Sequence, residues 1–283
     1  MSQCGFETYE TAWCPGCGNF GILRALKSAL ENLQKKPHEV LIVGGIGQAA
    51  KTPQYINTNG FCGLHGRALP PAVAAKIVNK DLTVIINTGD GDTYGEGGNH
   101  LIHNIRRNVD VTHFVHNNQI YGLTKGQASP TTAEGHVTTV QALGSKMPPL
   151  NPLLLSLVLG AGFVARGFSG DSEHLTKIMQ QAIMYKGYAL VDILQPCISF
   201  NKENTFKWYK DRVYKLNGGY DFENLDTALK KASEWGDRIP LGIIYKKKKT
   251  TYSDKLDFLK NGKPLVYRNG HIEKVQRLLD DFK

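Results

Sequence analysis

Two runs in this chain are apolar at nearly every position rather than at every second one. Residues 82–87 read Leu-Thr-Val-Ile-Ile-Asn and residues 111–115 read Val-Thr-His-Phe-Val. A strand with one face in water alternates; a strand that is apolar throughout is buried on both faces, which requires helices on both sides of a parallel sheet. Residues 39–45, 163–168 and 188–194 share this character. Segments at helical spacing lie between them. Residues 21–32 carry Ile22, Leu23, Ala25, Leu26, Ala29 and Leu30 on one face; residues 67–78, 97–107 and 171–185 follow, the last opened by an Asp/Ser start signal. Alternation of this kind predicts an α/β fold, a doubly wound and mainly parallel sheet.

Ligands of such sheets sit at the carboxyl ends of strands. Three polar turns fall there: Gly44-Gly45-Ile46-Gly47, Thr88-Gly89-Asp90-Gly91-Asp92, and His116-Asn117-Asn118-Gln119-Ile120-Tyr121-Gly122. A carboxylate and a carboxamide, Asp90 and Asn118, would stand side by side at neighbouring strand ends. Glycines beside Asp90 let backbone approach a ligand closely. Hard oxygen donors next to exposed backbone N–H groups suit a magnesium-bound diphosphate. The plainer alternative is two unrelated turns. Residues 121–149 are long, polar and rich in Gly, Pro and Thr, and loops of this length usually serve a function. After residue 199 the periodicity weakens. The expected organisation is one α/β domain over residues 1–198 and an extension over 199–283 that wraps it, ending in a helix at 271–282.

The amino-terminal segment reads Thr11-Ala12-Trp13-Cys14-Pro15-Gly16-Cys17-Gly18. A Cys-x-x-Cys turn aims two thiolates in one direction, which suits zinc, an iron–sulfur cluster or a redox disulfide. Further along come Gly60-Phe61-Cys62-Gly63-Leu64-His65-Gly66-Arg67-Ala68-Leu69-Pro70 and Leu194-Gln195-Pro196-Cys197. Asp90 and Asn118 form the GDG…NN pattern of thiamine diphosphate enzymes. With the Cys14–Cys17 turn, the HGRALP segment and NNQIYGLTKGQ followed by SPTT, the chain resembles the β subunit of a 2-oxoacid:ferredoxin oxidoreductase. The motifs run from Cys14 to Cys197, and on to Pro240-Leu241-Gly242-Ile243-Ile244-Tyr245.

The resemblance implies a sheet of the thiamine diphosphate-binding, diphosphate-domain type and roles for individual residues. Asp90, Asn118 and the Ile120 carbonyl would bind Mg²⁺. Gly89, Gly91 and Asp92 would turn against the diphosphate of thiamine diphosphate, with Gly47, Gly122, Leu123 and Thr124 in the same pocket. His65 would reach the thiazolium side, relaying a proton or stabilising a developing oxyanion, unless it is a hydrogen-bonded structural histidine. Arg67 serves the substrate carboxylate or braces its loop. Lys51 pairs with a substrate side-chain carboxylate, favouring 2-oxoglutarate over pyruvate, or is a solvent lysine; Lys125 has the same standing. In the family, Cys14, Cys17, Cys197 and a further cysteine hold a [4Fe–4S] cluster, and this chain has Gln48 at the further position. A neutral amide is a poor iron ligand beside thiolates. Three outcomes are open: Cys62 supplies the fourth thiolate, the cluster persists on three cysteines, or it is absent. Cys4 is a more remote substitute.

The activity so implied is oxidative decarboxylation of a 2-oxoacid, pyruvate or 2-oxoglutarate, with coenzyme A. The products are acyl-CoA, CO₂ and reduced ferredoxin or flavodoxin. Thiamine enzymes also need a glutamate on a pyrimidine-binding domain. That domain is expected from a partner α (or α/γ) subunit in an αβ or α₂β₂ assembly, so the chain alone is expected to be inactive. A non-oxidative thiamine diphosphate decarboxylase or lyase without a working cluster is the rival enzyme reading, and a CxxC docking protein the rival outside enzymes. A net charge of +9 suits either a solvated surface or the steering of an acidic ferredoxin. Neither a nucleic-acid module nor a run of eighteen apolar residues is present, so nucleic acid and membrane are not expected partners. The start lacks a signal-peptide pattern, and five cysteines grouped around a CxxC turn favour metal in a reducing compartment. The expected location is the cytoplasm.

Overall fold

The runs that are apolar throughout all take places inside one eight-stranded sheet. The computed structural model describes residues 5–270 and 272–282. In chain order they form α1 (Asn19–Asn32), β1 (Val40–Gly44), β2 (Asn59–Cys62), α2 (Leu69–Val78), β3 (Thr83–Gly89), α3 (Gly98–Arg107), β4 (Val111–Asn117), β5 (Ile120–Tyr121), β6 (Gln127–Ala128) and α4 (Pro152–Val158). There follow β7 (Phe163–Phe168), α5 (Ser172–Met184), β8 (Tyr188–Leu194), α6 (Phe206–Lys210), β9 (Val213–Lys215), α7 (Leu225–Ser233), β10 (Ile239–Lys246), α8 (Asp257–Lys260) and α9 (Ile272–Asp280).

The strand order is β2-β1-β3-β4-β8-β7-β10-β9. All neighbours are parallel except β10, which runs antiparallel to β7. Successive residues of β3 and β4 therefore face different cores. Ile85 and Phe114 pack with α1 and α5 on one side; Ile86 and Val115 pack with α2, α3 and α4 on the other. The chain leaves β1 toward β2 but returns to β3 on the other side. It also skips past β8 on its way from β4 to β7. These reversals open crevices above the carboxyl ends of β1, β3, β4 and β8.

Local chemistry sets the element limits. Helix α2 begins at Leu69, two residues later than its periodicity suggests, because Pro70 and Pro71 occupy its first turn. Asp171 caps α5 by accepting from the His174 N–H at 3.1 Å. Two elements differ from the sequence expectation. Strand β2 is exposed at all four positions and carries no apolar signal. Helix α4 is a seven-residue segment, with Asn151 as its cap, just past the 121–149 loop in a stretch to which the sequence assigns no element. The start of the 121–149 segment is tied into a small hairpin, β5–β6.

Residues beyond 198 enter the sheet as β9 and β10 rather than merely covering it. Asn108, in the left-handed region at φ 55°, ends α3 and ties this part down. Its Nδ2 donates to the Thr250 carbonyl at 3.1 Å, and its Oδ1 accepts from the Tyr188 N–H at 2.9 Å. No helix of the described residues is long and apolar enough to cross a membrane. Phe114 is fully buried in the middle of the central strand. Replacing it by alanine should cost about 3–5 kcal/mol, read as a lower urea midpoint for unfolding of the chain.

Candidate active site

Four strands deliver the polar turns to one place. The pocket above them is lined by Ile46, Gly47, Gln48 and Ala49 after β1, His65 after β2, and Gly89–Asp92 at the end of β3. From the region after β4 come Asn118, Ile120, Tyr121, Gly122, Leu123 and Thr124, with His116 from the strand itself. Of the residues singled out in the sequence, Lys51 and Arg67 are not among the lining. Lys51 is half-buried on the turn after Gln48, and Arg67 is exposed beyond His65.

Asp92 organises the loops around the pocket. Its Oδ1 accepts from the Gly66 N–H at 2.7 Å and the Ile46 N–H at 3.2 Å. His65 Nδ1 stands 3.0 Å from the same oxygen and 3.4 Å from Glu96 Oε2, close contacts that are not aligned as hydrogen bonds. A Cβ on Gly45 would lie 2.2 Å from the Asp92 carboxylate, so the turn after β1 needs glycine there. Burial pushes the Asp92 carboxyl up, and the two backbone donors pull it back. Asp92 thus braces three loops while also lining the pocket.

Asp90 begins a π-helical turn that runs through Gly91–Glu96, a geometry often found at functional sites. Its carboxylate is buried, and one oxygen accepts from Ser129 Oγ at 2.5 Å and Thr131 Oγ1 at 2.6 Å. Burial raises this carboxyl to about 6 against the two hydroxyl donors. Asn118 Oδ1 accepts from the Ile120 N–H at 3.0 Å, which folds the turn so that the amide and the Ile120 backbone line the same pocket. Gln119 supplies the required left-handed residue at φ 60°. Tyr121 lies over the π turn: a Cβ on Gly91 would sit 2.2 Å from its ring, and its hydroxyl donates to Glu96 at 3.1 Å.

The glycines form an open cradle. A Cβ added to Gly47 or Gly89 would meet nothing within 4 Å, and one on Gly122 would touch only Asn118 at 3.9 Å. Space bounded by backbone, a carboxylate, an amide oxygen and a carbonyl fits a hard cation carrying a diphosphate.

The cysteines lie beside this pocket. Trp13 Nε1 donates to the Gln48 carbonyl at 2.8 Å, which brings the Cys14–Cys17 turn against the segment that carries Gln48. Burial pushes the Cys17 thiol up to about 11, and neighbouring Cys197 and Cys14 add to the rise. Gln195 Nε2 lies 3.5 Å from Cys17 Sγ, and Ser199 Oγ 3.2 Å from Cys14 Sγ. Cys62 is turned elsewhere: its sulfur lies 3.8 Å from the Ala50 carbonyl and 4.0 Å from Gln54 Nε2. Its thiol lies at the end of the edge strand β2. Cys4 lies outside the described residues. Among the described residues, no three Cys, His, Asp or Glu side chains converge closely enough to hold a metal ion.

Several contributors carry no local sequence signal. Ser129 and Thr131 approach Asp90 from about forty positions away. Glu96, Tyr121 and His116 line or flank the pocket, and His116 is fixed by its Nδ1 contact to Asn19 at 2.8 Å. The SPTT segment was a visible motif, but nothing local ties it to Asp90. Gly45→Ala should force Asp92 away from Gly66 and Ile46. The expected cost is about 1–3 kcal/mol in stability, seen in thermal unfolding.

Comparison with known proteins agrees with this geometry. Residues 44–193 match the family model for the C-terminal TPP binding domain of thiamine pyrophosphate enzymes. Residues 197–261 match that for the C-terminal part of the pyruvate ferredoxin oxidoreductase beta chain. The β subunit of 2-oxoacid:ferredoxin oxidoreductase 1 of Aeropyrum pernix is 43% identical over 272 residues, covering 90% of this chain and 86% of the relative. The β subunit of the Saccharolobus solfataricus enzyme is 43% identical over 256 residues, 86% of this chain and 84% of that one. The solved 2-oxoglutarate:ferredoxin oxidoreductase from Magnetococcus marinus, with 2-oxoglutarate, coenzyme A and succinyl-CoA bound, superposes with a TM-score of 0.90 at 32% identity. The match covers 99% of this chain and 97% of that one. The chain therefore belongs to the thiamine diphosphate-binding β subunits of the 2-oxoacid:ferredoxin oxidoreductase family.

Proposed function

We propose that this chain holds the diphosphate end of thiamine diphosphate through Mg²⁺ and passes electrons from a 2-oxoacid toward ferredoxin. The reading rests above all on the pocket shared by Asp90, Asn118 and Ile120 around the open cradle of Gly89 and Gly122. Asp90 would supply a carboxylate oxygen to the cation, Asn118 its amide oxygen and Ile120 its carbonyl. Bound there, thiamine diphosphate supplies the electron sink that decarboxylation of a 2-oxoacid requires.

The chain's own residues have separable tasks. Ser129 and Thr131 hold the Asp90 carboxylate in one orientation. His65, steadied by Asp92 and Glu96, presents a polar ring at the pocket wall and would donate to an oxyanion as charge develops. Leu123 and Ile46 give the wall an apolar portion that limits access of water. The catalytic glutamate belongs to an α (or α/γ) partner bearing the pyrimidine-binding domain, and the working enzyme is that complex. Coenzyme A would take the acyl group, giving acyl-CoA. The 2-oxoacid is of the pyruvate or 2-oxoglutarate class. Lys51, lying outside the pocket lining, gives no reason to prefer the dicarboxylate. The four described cysteines are all free thiols, which suits the reducing cytoplasm.

We assign Cys14, Cys17 and Cys197 to an iron–sulfur cluster beside the Gln48 segment. Burial is the larger cause of the raised Cys17 thiol, and neighbouring Cys197 and Cys14 add to it; bound iron would favour the thiolate against both. Gln48 leaves one iron without a cysteine on that side, so the cluster should be labile at that corner.

Three measurements test these assignments on the complex with its α partner. Asp90→Ala should weaken Mg²⁺-dependent binding of thiamine diphosphate by 100-fold or more, followed by quenching of protein fluorescence. Unchanged binding would remove Asp90 from the site. Anaerobic protein should carry about three to four irons per β chain, with a reduced-cluster EPR signal on addition of 2-oxoacid and coenzyme A. Gln48→Cys should slow iron loss in air. Iron-free complex that still binds thiamine diphosphate would take the cluster out of the electron path and favour a non-oxidative decarboxylase.

A further inference from the structure

We propose that Asp192 is a positioning residue: its buried carboxylate clamps together the two turns that carry Asp90 and Asn118, and so sets the spacing of the magnesium donors. The inference rests on the assignment of the cation site to those two residues. Asp192 is the fifth residue of β8, within a run that otherwise reads as plain apolar strand. It pairs in register with Val115 of β4 and Arg166 of β7, and only 1% of it is exposed.

Its bonds go to the two turns in question. Oδ1 accepts from the Tyr94 hydroxyl at 2.8 Å, and Tyr94 lies in the π turn four residues after Asp90. Asn117 Nδ2 stands 3.2 Å from both carboxylate oxygens, and Asn117 immediately precedes Asn118. Asn117 then extends the connection: its Oδ1 lies 2.9 Å from Thr131 Oγ1, whose oxygen is also 2.6 Å from the Asp90 carboxylate. The backbone N–H of Gln119 reaches the same Asn117 oxygen at 3.3 Å. One carboxylate therefore reaches both donor-bearing turns by direct bonds, and Asp90 itself through Asn117 and Thr131.

Stability does not explain why a charge should stand there. A buried carboxylate is a weak source of folding energy, and an apolar side chain of similar shape often does as well. What a carboxylate adds is two acceptor oxygens at fixed separation, able to hold a phenol and an amide together. Arg166, 2% exposed and facing it from β7, supplies the compensating positive charge. Beneath the turns, Arg166, Asp192, Asn117, Thr131 and Trp235 border a cavity of about 170 Å³. The turns are not packed solidly against the sheet at this point, so their spacing depends on the hydrogen bonds.

The test exchanges donor and acceptor on the complex with its α partner. Asp192→Asn places an amide against the Asn117 amide and should raise the Kd for Mg²⁺–thiamine diphosphate at least tenfold, measured by fluorescence titration without turnover. At saturating cofactor, KM for the 2-oxoacid should stay within twofold. The double change Asp192→Asn with Asn117→Asp restores a donor facing an acceptor and should recover most of the lost affinity. Tyr94→Phe removes one oxygen with little effect on packing and should raise the same Kd about threefold, which keeps the test open if the Asn variant folds poorly. Normal cofactor affinity in folded Asp192→Asn or Tyr94→Phe protein would overturn the clamp, as would failure of the folded double variant to recover. A wild-type complex that bound no Mg²⁺–thiamine diphosphate would instead overturn the site assignment itself.

Discussion

Three carboxylates are buried close together at the carboxyl ends of β3 and β8, and the arrangement of the surrounding loops follows from how each is compensated. Asp90, Asp92 and Asp192 are each no more than 3% exposed. Burial raises all three carboxyls, and Asp192 further raises Asp90. Charges of one sign in a low-dielectric interior require donors, cations or protons. The chain gives each carboxylate a different answer. Asp92 takes backbone N–H groups from neighbouring loops, Asp192 takes a phenol, an amide and the field of Arg166, and Asp90 takes two hydroxyls.

Those answers divide the labour. Backbone donors bind Asp92 into the scaffold, where it fixes the turn after β1 and the loop before α2. The side-chain network on Asp192 reaches across three strands and holds the turns from beneath. Asp90 takes both of its hydroxyl donors on one oxygen and lines the same pocket as Gly47, Gly89 and Gly122. On the function proposed above, it is the carboxylate that would meet the cation. A pocket wall built this way keeps its shape through hydrogen bonds anchored in the sheet, while leaving the donor side open.

Much of this was legible in the sequence because it is local. Strands β3, β4, β7 and β8 declare themselves by being apolar on both faces. Asp90 and Asn118 declare themselves by their glycine and asparagine turns. The missing parts share one cause, which is dependence on distant residues. Asp192 hides in β8 because a strand buried on both faces looks apolar whatever one of its members bonds to. Ser129 and Thr131 carry no sign that they end beside Asp90. Strand β2 is a polar edge recognised only by its pairing with β1. Lys51 and Arg67 stand beside motif residues without lining this chain's pocket, because position in a loop does not fix what a side chain borders.

The antiparallel strand β10 has a consequence for how the chain can be divided. Strand β7 is fully buried, with apolar residues on both faces, and β10 covers the edge that β8 does not. A product ending before residue 239 would bare that edge, an unpaired row of N–H and C=O groups beside apolar surface. Such edges recruit strands from other molecules. The residues proposed to bind the cofactor all precede that point, yet a fragment containing only them would be prone to precipitate. The carboxyl-terminal segment thus protects solubility as much as it contributes to the fold, and it sets the lower limit on the size of a usable β chain.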